Sequence, residues 1–212
     1  CHFASTSYLS SEIRNLDNEA KKQNLTFINE VGLDPGIDHF FSHLLVKDLK
    51  NKNFQNIDVS YQSYCGGFPA VPNDFRYKFS WSPIGVIKAL NNNAKFISNS
   101  ETKTVTPYKN INKYSVNNEV YESYPNRDST PYIKEYNFDK NWKIDEFVRG
   151  TLRLDGWEKA WSDIFDMLNK KSEDLEKQIA KKSEQLWIDN QYLNDEKDRV
   201  VLFVKLIAKK DK

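Results

Sequence analysis

The sequence predicts a mixed α/β chain: a parallel strand–helix–strand unit at its start, then an α+β region built on a mixed or antiparallel sheet. Three observations carry this. Within the first 29 residues, two β-like runs flank an amphipathic helix, the arrangement of a right-handed crossover between parallel strands. Residues 95–138 hold short β-like runs separated by Asn, Lys and Pro, the pattern of an antiparallel region. Apolar residues recur at helical spacing after Gly36 and again after Gly156, so helices are available to cover the strands.

Residues 1–6 read as the end of a strand. Ser10 is suited to cap a helix carrying Ile13, Leu16 and Ala20 on one side and ending near Gln23. Leu25–Asn29 has the β-branched and aromatic content of a short buried strand. A turn rich in Gly, Pro and Asp follows (Gly32, Asp34, Pro35, Gly36), with Pro35 suited to the first turn of the helix that begins there. Phe40, Phe41, Leu44, Leu45, Val46 and Leu49 form that helix's apolar side. Ile57–Tyr64 alternates as a strand and ends in Gly66-Gly67, read as a turn with close backbone approach. Phe68–Asn73 reads as loop, Arg76–Trp81 as extended, and Ser82-Pro83 as the opening of a short helix. The runs KFI, KTVTPY, YSV, VYESY and YIKEYNF make up the antiparallel region, and Phe147–Leu154 is a further strand. Trp157, Trp161, Ile164, Phe165 and Leu168 line one side of a helix, Lys170–Gln185 is a charged, solvated helix, and Arg199–Ala208 is a strand.

Composition narrows the function classes. Lys and Arg total 31 against 30 Asp and Glu, leaving a formal charge of +1, which gives no reason to expect nucleic acid or an anionic membrane as a partner. No apolar run approaches the roughly 20 residues that cross a bilayer. Cys1 and Cys65 alone make no disulfide framework, so a reduced, cytoplasmic protein is expected. No GxGxxG or P-loop occurs. The chain therefore reads either as part of a larger nucleotide fold or as one whose parallel unit is incidental.

Candidate chemistry lies in a few side chains. A strand running through a tight turn into a helix is where open α/β folds place ligands, so Asp34 sits at a candidate mouth. On that stretch alone, a helix cap is the favoured role for it. His39 and His43 are four apart on one helix, yet no accompanying metal motif occurs, and no metal is expected. Cys65 is read as a packing or pocket-lining thiol. Arg127 lies in a polar turn, and Arg149 and Arg153 share one strand face by period two. Such guanidinium groups could grip a small polyacid bidentately. They could equally close ion pairs with Asp128 or Asp155.

Six strings occur in order: TSYLS at Thr6–Ser10, NEVGLDPGIDH at Asn29–His39, SYCGGFPA at Ser63–Ala70, YKFSWSPIGV at Tyr77–Val86, YPNRDSTPY at Tyr124–Tyr132 and VRGTLRLDGW at Val148–Trp157. Together they resemble the glutamate-forming saccharopine dehydrogenase family. DEKDRVVLFVKL near the end resembles that family's strand leading back towards the first domain. The resemblance implies a Rossmann domain that binds NADP or NAD, and an inserted α+β domain that binds saccharopine. Residues 1–35 would be the C-terminal part of the first and 36–212 the second, with 199–208 leading back. The implied reaction is hydride transfer between the nicotinamide and the carbon–nitrogen bond joining aminoadipate semialdehyde to glutamate, within lysine metabolism. By motif position, Ser7, Tyr8, Asp34, Arg127, Thr151, Leu152 and Arg153 would contact saccharopine. Ser5, Thr6, Gly32, Leu33, Asp34 and Trp81 would line the cofactor side, and Arg149 falls back towards a structural role. Tyr8, Asp34 and Cys65 are the ionisable candidates for the acid/base, with substrate-assisted transfer through water as an alternative. Without the glycine-rich half, this piece alone is expected to be inactive. The sequence also fits two other functions: a non-catalytic module of the same fold, and a reductase of polyamine-type substrates. Oligomeric state is open, a homodimer included.

Overall fold

The computed structural model describes residues 1–170 and 172–210. The chain opens with β1 (Phe3–Ala4), α1 (Ser11–Asn15), α2 (Asp17–Lys22) and β2 (Phe27–Ile28). β1 and β2 pair in parallel, Phe3 opposite Phe27 and Ala4 opposite Ile28, as the crossover pattern requires. The expected single helix is broken at Leu16, whose own N–H caps the first piece. Ser10 does accept from the Ile13 N–H at 3.2 Å. Leu25–Asn29 was expected to be buried, but Phe27 and Ile28 are exposed.

Then come α3 (Ile37–Asn51), β3 (Ile57–Pro69), α4 (Pro83–Asn91), β4 (Ala94–Ser98), β5 (Glu101–Val105), β6 (Asn112–Val116), β7 (Glu119–Pro125), α5 (Tyr132–Glu135) and β8 (Lys143–Leu154). α6 (Trp157–Ala160), α7 (Ser162–Asn169), α8 (Leu175–Asn190) and β9 (Asp198–Lys210) complete the order. Seven strands form one mixed sheet along the path β5-β4-β8-β3-β9, with β7 also on β8 and β6 on β7. β8 runs parallel to β3, Cys65 opposite Thr151 and Ser63 opposite Arg149, whereas β9 runs antiparallel along the whole of β3.

The second edge of β8 is divided. β4 pairs with its first half at Glu146 and Phe147, and β7 pairs with its second half from Gly150 to Leu154. Between them the loop 126–129 wedges in, with Asn126 N–H donating to the Arg149 carbonyl at 2.9 Å and Arg149 N–H to Ser129 Oγ at 2.9 Å. This split sets Arg127 beside the sheet.

Three expectations need correction. Gly66 and Gly67 lie inside β3 instead of ending it; a Cβ on Gly66 would stand 2.5 Å from the Leu152 carbonyl oxygen, so the close approach is real but the turn is not. Tyr132–Glu135 is helical and 136–137 form a turn before Phe138, because Tyr136 and Phe138 pack on Tyr61 and Phe147 from one face of the sheet. Arg76–Trp81 is not one extended run: Arg76 is left-handed (φ +57°), residues 80–81 bend, and between them Phe79 bridges Gln191.

The core has a helical part and a sheet part. Trp157, Trp161, Ile164, Phe165 and Leu168 are all buried against Phe79, Ile87, Leu90, Ile179 and Leu186, as their spacing predicts. Val46 and Leu49 of α3 pack on Ile57, Val59, Tyr61 and Phe147. The rest of the α3 stripe does not follow: Phe40 is 71% exposed, and Phe41 and Leu44 also face outward. Asp38 and Ser42 are buried in their place because both find polar partners inward.

Candidate functional site

Hydrogen bonds continue past the ends of β1 and β2. Ser5 N–H donates to the Ile28 carbonyl at 2.9 Å, Val31 N–H to the Ser5 carbonyl at 3.2 Å, and Glu30 N–H to the Ser7 carbonyl at 3.2 Å. The segment after β1 is thereby zipped to the Gly/Pro turn, and Tyr8 is carried to Asp34. Tyr8 OH donates to Asp34 Oδ1 at 2.9 Å. Asp34 does not cap α3, whose N-cap is Gly36. The capping carboxylate is Asp38, whose Oδ1 accepts from the Gly36 N–H at 2.8 Å. Gly36 has φ +149°, and a Cβ there would fall 2.0 Å from the Gly32 carbonyl oxygen, so this bend requires glycine.

Period two along β8 puts Arg149, Thr151 and Arg153 on one face. A cavity of about 340 Å³ opens on this side of the sheet. Tyr8, Asp34, Cys65, Trp81, Arg127, Thr151 and Arg153 all line it. Its cations are Arg127, Arg153 and Lys78; its carboxylates are Asp34 and Asp198. The Arg127 guanidinium lies 4.6 Å from the Tyr8 ring centroid and makes no ion pair among the described residues. Arg153 is packed over Tyr77 at 4.8 Å, with Tyr124 and Trp157 each at 5.5 Å, and donates through Nη1 to the Leu152 carbonyl at 3.2 Å. Asp128 and Asp155 instead face Lys95 and Lys113, so neither arginine of the cavity is tied up by the neighbour that sequence offered.

Burial pushes the Asp34 carboxyl above its ordinary value, while Arg149 pulls the other way. Burial likewise raises the Tyr8 phenol, which stays protonated and acts as a donor. The Cys65 thiol is pushed up to about 12, chiefly by burial with Asp34 and Asp38 adding to it. At neutral pH it is a neutral wall of the cavity, and of the three acid/base candidates it is the least suited.

Other predicted residues sit differently. Ser5, Thr6, Gly32 and Leu33 gather where the two parallel strands end, beside the cavity but not lining it. Thr6 packs on Gly32, where a Cβ would be 3.3 Å from the Thr6 Cβ. The Ser7 N–H donates to Ser5 Oγ, and its side chain is outside the cavity. Leu152 is fully buried in the core between Thr151 and Arg153 and does not line the cavity. Trp81 is 51% exposed at the rim and rests on Gly85, where a Cβ would come within 2.5 Å of the indole. Sequence reading missed Lys78, Tyr77, Tyr124, Asn126, Tyr192 and Asp198. Lys78 is paired with Glu196 at the rim. The alternation of Arg76–Trp81 could have marked Tyr77 as facing the same way as Phe79, but nothing local marks Tyr192 or Asp198. Among the described residues no cluster of His, Cys, Asp and Glu could hold a metal ion, and no helix is long and apolar enough to cross a membrane.

Comparison with known proteins agrees with this architecture. Saccharopine dehydrogenase [NADP(+), L-glutamate-forming] of Pyricularia oryzae is 37% identical over 169 residues, 74% of this chain and 35% of that protein. The Saccharomyces cerevisiae protein of the same name is 35% identical over 174 residues, 76% of this chain and 37% of that one. Alpha-aminoadipic semialdehyde synthase of Arabidopsis thaliana is 36% identical over 165 residues, 74% of this chain but 15% of its own length. The chain thus spans little more than a third of the fungal relatives it matches. The structure of apo saccharopine dehydrogenase (L-Glu forming) from Saccharomyces cerevisiae superposes with a TM-score of 0.73 at 25% identity, covering 95% of this chain and 60% of that one. Residues 32–212 match the sequence profile of the saccharopine dehydrogenase C-terminal domain, and the chain belongs to that family.

Proposed function

We propose that this chain is the substrate-binding portion of an oxidoreductase that interconverts saccharopine with aminoadipate semialdehyde and glutamate. The observation that carries this is the meeting of Asp34, Arg127 and Arg153 around one cavity. Saccharopine has three carboxylates and two amines. Arg127 and Arg153 offer fork-shaped donors to carboxylates, and Asp34 offers a counter-charge to an amine. Thr151 adds a hydroxyl on the same wall. Residues 1–35 then belong with the dinucleotide-binding part and residues 36–212 with saccharopine, in a cytoplasmic enzyme of lysine metabolism.

Asp34 is built to face a substrate nitrogen. Its Oδ1 is occupied by Tyr8 and Arg149, while Oδ2 has no protein partner among the described residues. That oxygen can accept a proton from the nitrogen, directly or through water, as the carbon–nitrogen bond changes order. A nicotinamide cofactor, NADP by the names of the fungal relatives, supplies the hydride chemistry when bound. The residues fit such a group. Trp81, half exposed at the rim of the cavity that Asp34 also lines, offers an indole face on which a flat ring could stack.

The test is turnover of the full-length protein. Saccharopine should reduce NADP in its presence, and Arg127→Ala should raise the KM for saccharopine. A protein that neither binds nor oxidises saccharopine would contradict the reading.

A further inference from the structure

Arg149 does not line the cavity just described, yet it touches Asp34, one of the groups that give that cavity its charge. Its Nη2 stands 2.6 Å from Asp38 Oδ2, 3.0 Å from Asp34 Oδ1 and 3.3 Å from Tyr8 OH. One nitrogen carries two hydrogens, so the two carboxylates account for both. Tyr8 spends its own hydrogen on Asp34 and needs none from Arg149. The guanidinium lies against two aromatic rings, with its carbon 4.2 Å from the Tyr132 centroid and 5.5 Å from that of Tyr8. Its side chain is only 6% exposed. It reaches these partners from the far wall, where a second cavity of about 580 Å³ is lined by Glu30, His39, Tyr132 and Tyr136.

We propose that Arg149 is a positioning residue for the reaction centre: by bridging Asp34 to Asp38 it fixes the charge and the direction of Asp34 in the substrate cavity. The inference rests on the saccharopine reading above. Asp38 is fully buried and already pairs with Arg149 at the shorter distance, so the bond to Asp34 is more than the fold needs. Its effect falls on Asp34. One guanidinium hydrogen occupies Oδ1 and leaves Oδ2 turned to the cavity. A neighbouring cation also holds a half-buried carboxyl in its charged form. Asp38 carries the opposite influence, and Arg149 neutralises it. The titratable groups facing Asp34 are Tyr8 after β1, Arg149 on β8, Asp38 and His39 on α3 and Cys65 on β3. Glu30, Tyr132 and Tyr136 face Arg149 and His39 from behind. Among the described residues Arg149 is the cation hydrogen-bonded to Asp34; Arg127, over the Tyr8 ring, and Arg153 face the same cavity without a hydrogen bond to that carboxylate.

The test is saccharopine binding to the full-length protein without cofactor, measured by calorimetry across pH. The wild type should show an acid limb in affinity that Asp34→Asn removes, which assigns the limb to Asp34. Arg149→Met together with Asp38→Asn removes the cation without stranding a second buried carboxylate. In that protein, checked for native near-UV circular dichroism, the limb should still move up, because Arg149 is the stronger of the two opposed influences on Asp34, but by less than the roughly one to three pH units that loss of a lone cation would give. A folded double variant whose limb stays at the wild-type pH overturns the proposal. So does a double variant that fails to fold, since Arg149 would then belong to the fold alone. A wild type that binds no saccharopine at any pH would count instead against the function proposed above.

Discussion

In the proposed saccharopine site, Arg127 and Asp34 would do most to decide what the cavity accepts. Arg127 has no carboxylate partner among the described residues and only the Tyr8 ring beneath it, so a ligand carboxylate would be its main partner. Arg127→Ala in the full-length protein should weaken saccharopine binding by about 1.5–3 kcal/mol, the range for a hydrogen bond to a charged group. An unchanged KM would remove Arg127 from the site. Asp34→Asn should depress turnover more than cofactor binding, and equal losses would indicate a structural role. His39 makes a separate prediction. It lies between Tyr136 OH at 2.8 Å and Glu30 at 3.0 Å, and burial lowers its pKa from the ordinary 6.5. The unfolded chain therefore takes up a proton near 6.5 before the folded one does. The stability from neutral His39 is present above 6.5 and is lost as pH falls below it. Urea midpoints measured from about pH 7.5 to 5 should show that fall, and His39→Gln should flatten it. Motif resemblance brought Asp34, Arg127 and Arg153 to the same cavity. Period two alone would have told Leu152 from its neighbours Thr151 and Arg153. Asp34 reads as a cap in sequence because Asp precedes Pro there; the capping carboxylate is Asp38, and no local rule chooses between them.

The site is placed at the element scale by β3 and β8, which run side by side with small residues where they approach most closely. Gly66 has the Leu152 carbonyl and the buried Phe68 ring within 2.6 Å of where a Cβ would stand. Neither can retreat, since Leu152 is in the ladder with β7 and Phe68 is in the core. Gly66→Ala should cost about 1–3 kcal/mol of stability by overpacking, read as a lower Tm, and a Tm equal to wild type would mean the strands can separate. The Gly pair was legible as a close approach but not as mid-strand, because glycine marks both turns and crowded ladders. α3 shows a similar limit. Its apolar residues 37, 40, 41 and 44 share a face, but Asp38, Ser42, Val46 and Leu49 are turned inward. Asp38 reaches Arg149, and Ser42 meets Tyr61 OH at 2.6 Å. Distant partners outweighed the hydrophobic stripe. The helices after Gly156 were easier to read, since Trp157, Trp161 and Leu168 all bury into one apolar cluster.

Across the whole molecule, the two-stranded parallel unit and the seven-stranded sheet meet at Asp34. Tyr8 and Asp34 come from the first, and Arg149, Arg127 and Arg153 come from β8 and the loop wedged against it. The fold class was readable from the alternating and helical periods, because those are local. The split edge of β8 was not, since pairing one strand with β4 and then β7 depends on residues up to about 50 positions away. Saccharopine is proposed to lie in the cavity between Asp34 and the two arginines. A crystal structure of the full-length protein with saccharopine bound tests it most directly. Carboxylates within hydrogen-bond reach of Arg127 and Arg153, and an amine facing Asp34, are the predicted result; saccharopine ordered elsewhere, with those three side chains facing water, would contradict it.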